Sequence, residues 1–304
     1  MLTAIHNKDR SVQWLHITQA TPEHIAEASA AMELHPFITR ALCTPMLRSM
    51  VEEYENTLYL VLQFPFFNYD RSVITQHEVD IVIQKHRLLT VTYTPLPLLD
   101  AMTEALKNEV ERNDLGEHTG FLLFELLHRL YGASLKQLET VGQDIVEIEN
   151  NIFNGQEREM VRFISLVRRE MIDFLRGFDA HEDVLMVLES AGEALFGKKF
   201  SPYLSGITGE REKLGRLIEN NRELIEAVQQ TNDSLLTTRM STITKNLTIM
   251  AFVTFPLMLF SSLFGMNTRF LPIVGHAYDF WIIVGIMVFG TIGMFFFFKF
   301  KRWL

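Results

Sequence analysis

Hydrophobic and polar residues alternate with a period near two in Val12–Ile17, Thr57–Phe64, Glu78–Gln84 and Leu88–Thr94, the pattern of β-strands. Between and beyond these stretches, Pro22–Met32, Pro36–Leu42 and Leu98–Glu111 carry the wider spacing of amphipathic helices. This mixture predicts an α/β domain over residues 1–118. After Gly120 the strand signal ends. The runs Gly120–Phe153 and Arg158–Gly192 keep apolar residues three and four apart and predict an antiparallel helical pair, broken at Asn154 and Gly155. A further helix is expected from Pro202, which suits a first turn, with Ser201 as its N-cap. No Gly or Pro interrupts it between Gly215 and the apolar run that begins at Leu247, so polar stalk and apolar run should form one helix. At 1.5 Å per residue, Pro202 to Phe264 would extend about 90 Å. So long a helix, polar in its lower half, needs neighbours, which predicts an oligomer with stalk helices packed around an axis.

Leu247–Phe264 and Phe280–Phe298 contain no charged residue, and each is long enough to cross ~30 Å of hydrocarbon. Both read as transmembrane helices, joined by an outer loop over residues 265–279. The chain therefore divides into the α/β domain, a helical stalk region over residues 119–245 and a membrane domain over residues 246–304. Arg239 and Lys245 precede the first span and Lys299, Lys301 and Arg302 follow the second, whereas the connection carries only Arg269 and Asp279. That asymmetry places both termini in the cytoplasm. Trp281 and Trp303 fall where interfacial aromatics are expected. Pro256 should kink the first span, and the small residues Ser261, Ser262 and Gly265 allow close helix packing at its outer end. The N-terminal residues lack the apolar core of a signal peptide, so insertion is expected to use an internal span.

Composition narrows the function. A formal charge of -9 opposes broad nucleic-acid binding, which needs clustered Lys and Arg, and suits cations better. The single cysteine, Cys43, can form neither an internal disulfide nor a zinc knuckle, so the soluble part is expected in the cytosol. Gly192–Lys199 resembles a phosphate loop, but Lys199 stands where the metal-binding Ser or Thr belongs and the segment follows a helix rather than a strand. No nucleotide partner is expected. His181, beside Glu182 and Asp183, reads as part of a solvated helix face. Glu139, Asp144, Glu147, Glu149, Glu157 and Glu159 gather near the turn of the helical pair, as a solvated tip whose field could concentrate cations. No arrangement supports enzymatic chemistry or a bound cofactor. Gly265-Met266-Asn267 is locally a helix stop, with Gly at the C′ position. Its place, closing the first span, gives it weight.

These features together resemble the CorA family of divalent-cation channels. The resemblance rests on "GMN", the two C-terminal spans, Pro256 ahead of Gly265, the tail "FKFKRWL", "HP" at His35-Pro36, "VEEYENTLYLVL" from Val51 and "SPYL" from Ser201. It implies an α+β membrane protein assembled as a homopentameric funnel, multi-pass in the plasma (inner) membrane. It also implies passive uptake of hydrated Mg²⁺, with Co²⁺ and Ni²⁺ as alternatives. In that setting Gly265, Met266 and Asn267 would form the selectivity filter, Asn267 holding the ion through its bound water. Neutral carbonyls suit Mg²⁺, which dehydrates reluctantly, whereas carboxylates would release it slowly. Stepping back along the helix by threes and fours, Ser262, Met258, Phe255, Ala251, Leu247, Thr244 and Ser241 share the expected pore face. Leu247 and Met258 are candidate dewetting constrictions.

The chain also departs from that pattern. Many Mg²⁺-transporting members carry an acidic "MPEL" element after the signature. Here Arg269 stands at the outer mouth, and Asp279 is the first carboxylate beyond it. Five arginines would repel cations unless they turn away or pair with Asp279. The family's cytosolic Mg²⁺-sensing carboxylates fall on Ala41 and Gly206, neither of which can ligate a cation through its side chain. Closure by internal Mg²⁺ is expected to be weak or to use other groups. A Zn²⁺ transporter of the same superfamily, with or without proton coupling, and a non-conducting membrane-anchored scaffold or sensor are the competing readings.

Overall fold

The computed structural model describes all residues except 1, 8–10, 47, 69–72, 108–115, 268–271, 276, 302 and 304. The chain forms two compact units, Met1–Gln229 and Gln230–Leu304. In the first, strands β1 (Leu2–His6), β2 (Gln13–Thr18), β3 (Met50–Tyr54), β4 (Thr57–Asn68), β5 (Val73–Ile83) and β6 (Arg87–Thr92) form one sheet. The order is β1-β2-β6-β5-β4-β3. Only the β2–β6 pair is parallel, and it places Leu15 beside Leu89. The four strands expected from alternation are present. The edge strands β1 and β3 are additions, and β4 extends past Phe64. Pro65 is tolerated within β4 because pairing with β3 ends at Val61 and Met50, leaving no ladder partner for the missing N–H on that side.

Helices α1 (Pro22–Met32) and α2 (Pro36–Ala41) start where the sequence puts them, each with proline in its first turn. The Thr21 side chain accepts from the His24 N–H and the His35 ring from the Phe37 N–H, satisfying amides that have no partner inside the helix. Both helices cover one face of the sheet, where Ile25, Ala28, Met32, Ile38 and Leu42 meet Leu15, Ile17, Tyr59, Val61, Val82 and Val91. Helix α3 (Pro97–Ala105) is shorter than the expected Leu98–Glu111, the end of which lies outside the described residues.

Helices α4 (Thr119–Phe153) and α5 (Glu157–Phe178) are the expected pair, turning at Asn154-Gly155. The single helix expected over Arg158–Gly192 is broken at Asp179-Ala180, and α6 (His181–Phe196) begins there. The break has a tertiary cause. His181 is fully buried, so its reading as a solvated face is corrected. Its Nε2 meets the Gln63 carbonyl at 3.1 Å and its Nδ1 the Tyr131 hydroxyl at 2.8 Å. A carbonyl can only accept, so Nε2 carries the hydrogen and Nδ1 accepts from Tyr131. Burial holds the imidazole neutral, with its pKa lowered to about 3. The acidic residues near the turn are exposed, as expected of a solvated tip, except Glu157, which is buried.

Helix α5 approaches the sheet at Gly177. A Cβ built there would lie 2.8 Å from Pro65 Cδ and 2.8 Å from Gln76 Oε1. Neither can retreat easily, because Pro65 is ring-constrained within β4 and Gln76 Nε2 donates to the Asp173 carbonyl at 2.8 Å. Gly177→Ala should therefore destabilise the detergent-solubilised protein by about 1–3 kcal/mol, the usual effect of overpacking. An unchanged unfolding midpoint would show that the helix can shift at no cost.

After a short 3₁₀ turn at Lys198–Phe200, helix α7 runs from Ser201 to Phe264 without a break. Ser201 lies inside this helix rather than capping it. The phosphate-loop lookalike falls on the end of α6 and this turn, with Gly197 at φ 90° closing the helix, so it has no strand-to-helix context. In the first unit, Leu204, Ile207, Leu214, Ile218 and Ile225 of α7 are buried. Asn221 is buried among them and donates to the Leu138 carbonyl of α4 at 2.9 Å.

Candidate functional site

The second unit consists of the last part of α7 and helix α8 (Asp279–Phe300). Each helix contains a segment long and apolar enough to cross a membrane, covering the two spans read from the sequence. Among the described residues of this unit, Ile249 of α7 and Phe298 of α8 are the buried apolar ones. The Phe252 and Phe298 rings meet edge to face at 6.5 Å, and Trp303 stacks on Phe298 at 6.0 Å. Trp303 thus folds back on α8, its backbone N–H donating to the Phe298 carbonyl.

This packing fixes the helical phase of α7. Ile249 is buried, and Val253 and Pro256 are half-buried. At about 100° per residue, these lie on the opposite side of the helix from Leu247, Met258 and Ser262. Those three are exposed, as are Ser241, Thr244 and Phe255, while Ala251 is half-buried. Most of the expected pore face is thus exposed in the single chain, as are Met250, Phe260 and Leu263 on its other sides. It carries no charge from Leu247 to Ser262. Hydroxyls on α7 are bonded within the helix where Thr248 Oγ1 donates to the Thr244 carbonyl at 2.8 Å.

At the end of α7 the Gly265 N–H donates to the Ser261 carbonyl at 3.0 Å, and the Met266 N–H reaches the Leu263 carbonyl at 3.4 Å. The last bond is the longer and spans one residue fewer, so the helix tightens and stops here. A Cβ on Gly265 would lie 3.2 Å from the Ser261 carbonyl oxygen, which favours glycine at this position. Asn267 follows directly and is exposed, its amide free of the helix ladder. Arg269 lies outside the described residues. Asp279 opens α8, where its carboxylate accepts the Phe280 N–H at 2.7 Å and the Gly275 N–H at 3.2 Å. Its carboxylate therefore organises the loop and the start of α8. Ala41 ends α2 and Gly206 lies in α7, as backbone positions without a ligating side chain. Among the described residues, no group of three or more His, Cys, Asp or Glu side chains could hold a metal ion.

An α/β domain, a long continuous helix and two apolar C-terminal helices separated by Gly-Met-Asn make up the architecture of a two-span membrane transporter. The family model described as CorA-like Mg²⁺ transporter protein matches residues 9–302, nearly the whole chain, and the chain belongs to that family. It is 24% identical over 252 residues to the cobalt/magnesium transport protein CorA of Methanocaldococcus jannaschii, covering 83% of this chain and 78% of that protein. It is 21% identical over 295 residues to the protein of the same description from Thermotoga maritima, covering 96% and 83%. Its fold matches the complete structure of the M. jannaschii CorA magnesium transporter with a TM-score of 0.84 at 20% identity, covering 99% of this chain and 94% of that one. The family is one of transporters, not enzymes.

Proposed function

We propose that this chain forms a homopentamer and conducts divalent cations, principally hydrated Mg²⁺, down the membrane potential. The observation that carries the reading is Asn267, exposed immediately beyond the last turn of α7, at the head of a helix face that α8 leaves uncovered. Around a fivefold axis that face would line a neutral pore, and Asn267 would give a ring of carbonyl oxygens suited to an ion that keeps its water. Leu247 and Met258, exposed and apolar, would form the dewetted constrictions of the closed state. A divalent ion moving inward gains about 4.6 kcal/mol per 100 mV, twice the value for a single charge, so transport needs no nucleotide. In this reading residues 246–304 form the membrane domain, both termini are cytoplasmic, and Arg269 and Asp279 flank the outer mouth.

Flux into proteoliposomes under an inside-negative potential tests this, with Mg²⁺, Co²⁺, Ni²⁺ and Zn²⁺ compared side by side. Mg²⁺ entry that rises with potential and is competed by Co²⁺ and Ni²⁺ is the expected result. Zn²⁺ flux that exceeds Mg²⁺ flux and follows a proton gradient would replace it with the zinc-transporter reading. Absence of flux for every divalent ion would leave the scaffold.

A further inference from the structure

Two carboxyl side chains are buried together in the first unit, on the sheet face covered by α1 and α2. Glu78 and Asp80 are two residues apart in β5 and so share a face. Asp80 is fully buried and Glu78 nearly so. Two N–H donors serve Glu78, as its Oε1 accepts the Met46 amide at 2.8 Å and its Oε2 accepts Gln63 Nε2 at 2.9 Å. Among the described residues, no Lys, Arg or His pairs with either carboxyl.

The surroundings of Asp80 differ. Its Oδ2 lies 3.0 Å from the Tyr59 hydroxyl and 2.9 Å from the Tyr93 hydroxyl, and the Tyr93 hydroxyl also lies 2.9 Å from the Leu42 carbonyl. Three fully formed bonds with no hydrogen shared between two acceptors need three hydrogens. The Leu42 carbonyl can only accept, and each tyrosine hydroxyl supplies one hydrogen. The third must come from Asp80. The consistent arrangement is a directed chain in which Tyr59 donates to Asp80 Oδ2, protonated Oδ2 donates to Tyr93 Oη, and Tyr93 donates to the Leu42 carbonyl. Asp80 Oδ1 is buried without a hydrogen-bond partner. That is tolerable for the carbonyl oxygen of a neutral acid and very unfavourable for an anion.

We infer that Asp80 is a proton-binding site of the soluble domain, holding a proton that fastens the segment after α2 to the sheet and releasing that segment when the proton is lost. The chain through Tyr93 anchors Leu42 at the end of α2, and Glu78 anchors Met46 a few residues later. Loss of the Asp80 proton to water removes one of the three hydrogens and leaves an anion beside the buried Glu78 carboxyl. The titratable groups around it are Glu78 on the same strand, Tyr59 from β4, Tyr93 beyond β6 and, acting on Tyr93, Cys43 from the turn after α2. Burial first, and then the Glu78 charge, raises the Asp80 pKa well above the usual carboxylate range. Burial likewise pushes both tyrosines up, so neither deprotonates first. Because the folded state binds this proton more tightly than the unfolded chain, its stabilising effect is complete at low pH. The effect is lost as pH rises through the raised value.

The test uses the full-length protein in lipid nanodiscs with isotope-labelled aspartate. Infrared spectra at neutral pH should show the carbonyl band of a protonated aspartic acid. The band should be absent in Asp80→Asn, move to higher frequency in Tyr93→Phe, and fade as pH is raised. Hydrogen exchange supplies the second readout. Between the ordinary aspartate pKa and the raised Asp80 value, protection at the Met46 amide should fall about tenfold per pH unit in the wild type, after correction for intrinsic exchange, and level off above it, while Asp80→Asn changes by less than about twofold per unit. No acid band in the wild type at neutral pH, a band that persists in Asp80→Asn, or equal pH slopes in wild type and variant would each overturn the proposal. The infrared arm on wild type and Tyr93→Phe decides the matter even where Asp80→Asn does not fold.

Discussion

Asn267→Ala should reduce Mg²⁺ uptake by proteoliposomes about 100-fold while leaving the protein folded and assembled. In the proposed pore each subunit offers one amide oxygen to the water shell of the ion, and a hydrogen bond of this kind contributes about 1 kcal/mol. Five such acceptors act on one ion. If only half of their sum, about 2.5 kcal/mol, is realised at the barrier, the rate falls by nearly two orders of magnitude. The folding cost should be small, because Asn267 is exposed and lies beyond the last helical hydrogen bond of α7. Asn267→Asp makes a complementary comparison. Five carboxylates should bind Mg²⁺ more tightly and release it more slowly, so the apparent affinity rises as the maximal rate falls. Wild-type flux in the alanine variant would remove Asn267 from the filter, whatever the ion preference of the wild type.

The elements that position this site were legible because membranes leave few alternatives. An uncharged run of this length has to be a helix or remain out of the hydrocarbon, and both runs are helical. The central strands were legible for a similar reason. β4, β5 and β6 each pair on both sides, and their apolar residues are too concentrated to belong elsewhere. The edges were not. β3 reads Met-Val-Glu-Glu-Tyr, with Glu52 and Glu53 exposed, and charges that guard an open edge also mask the strand pattern. The break between α5 and α6 has no Pro or Gly at Asp179-Ala180. It is held by the contacts of His181 with Gln63 and Tyr131, whose sequence separations are 118 and 50, and no local window contains them.

The buried acid pair was hidden by the same logic. In Glu-Val-Asp-Ile-Val-Ile the alternation ordinarily marks a strand with one solvated face. Here both faces are covered, α1 and α2 on one and α4 to α6 on the other, so the polar half of the alternation is also inside. Glu78 and Asp80 escape notice in the sequence because their spacing is that of an ordinary surface strand. Only the position of Tyr59, Tyr93 and Leu42 around Asp80 separates a buried acid from a solvated one.

The double variant Ala41→Asp, Gly206→Asp should acquire closure by internal Mg²⁺ at millimolar concentrations, where the wild type responds weakly. These are the positions to which the family resemblance assigns cation-sensing carboxylates between subunits, and the local geometry can accept them. A Cβ on Gly206 would meet only Phe124 Cε2 at 3.6 Å, ordinary van der Waals contact, and an aspartate there replaces a helix-interior glycine at little cost in propensity. Ala41, at the last turn of α2, is half-buried, packed against the core cluster with part of its surface open to solvent. The energetics suffice. At about fivefold excess of Mg²⁺ over the dissociation constant, each site stabilises the bound, closed form by about 1 kcal/mol. Five sites give about 5 kcal/mol, close to the differential of about 5.5 kcal/mol that carries a two-state equilibrium from almost fully open to almost fully closed. Flux through the variant should therefore fall at least about tenfold when internal Mg²⁺ is raised through the millimolar range, with a steeper dependence than a single site allows. Either single substitution should give much less, because one carboxylate at each interface leaves the ion half-ligated. If the double variant remains as insensitive as the wild type while still conducting, the subunit contacts around α2 and α7 differ from those the resemblance implies, and regulation of this chain has to be sought in groups other than these two positions.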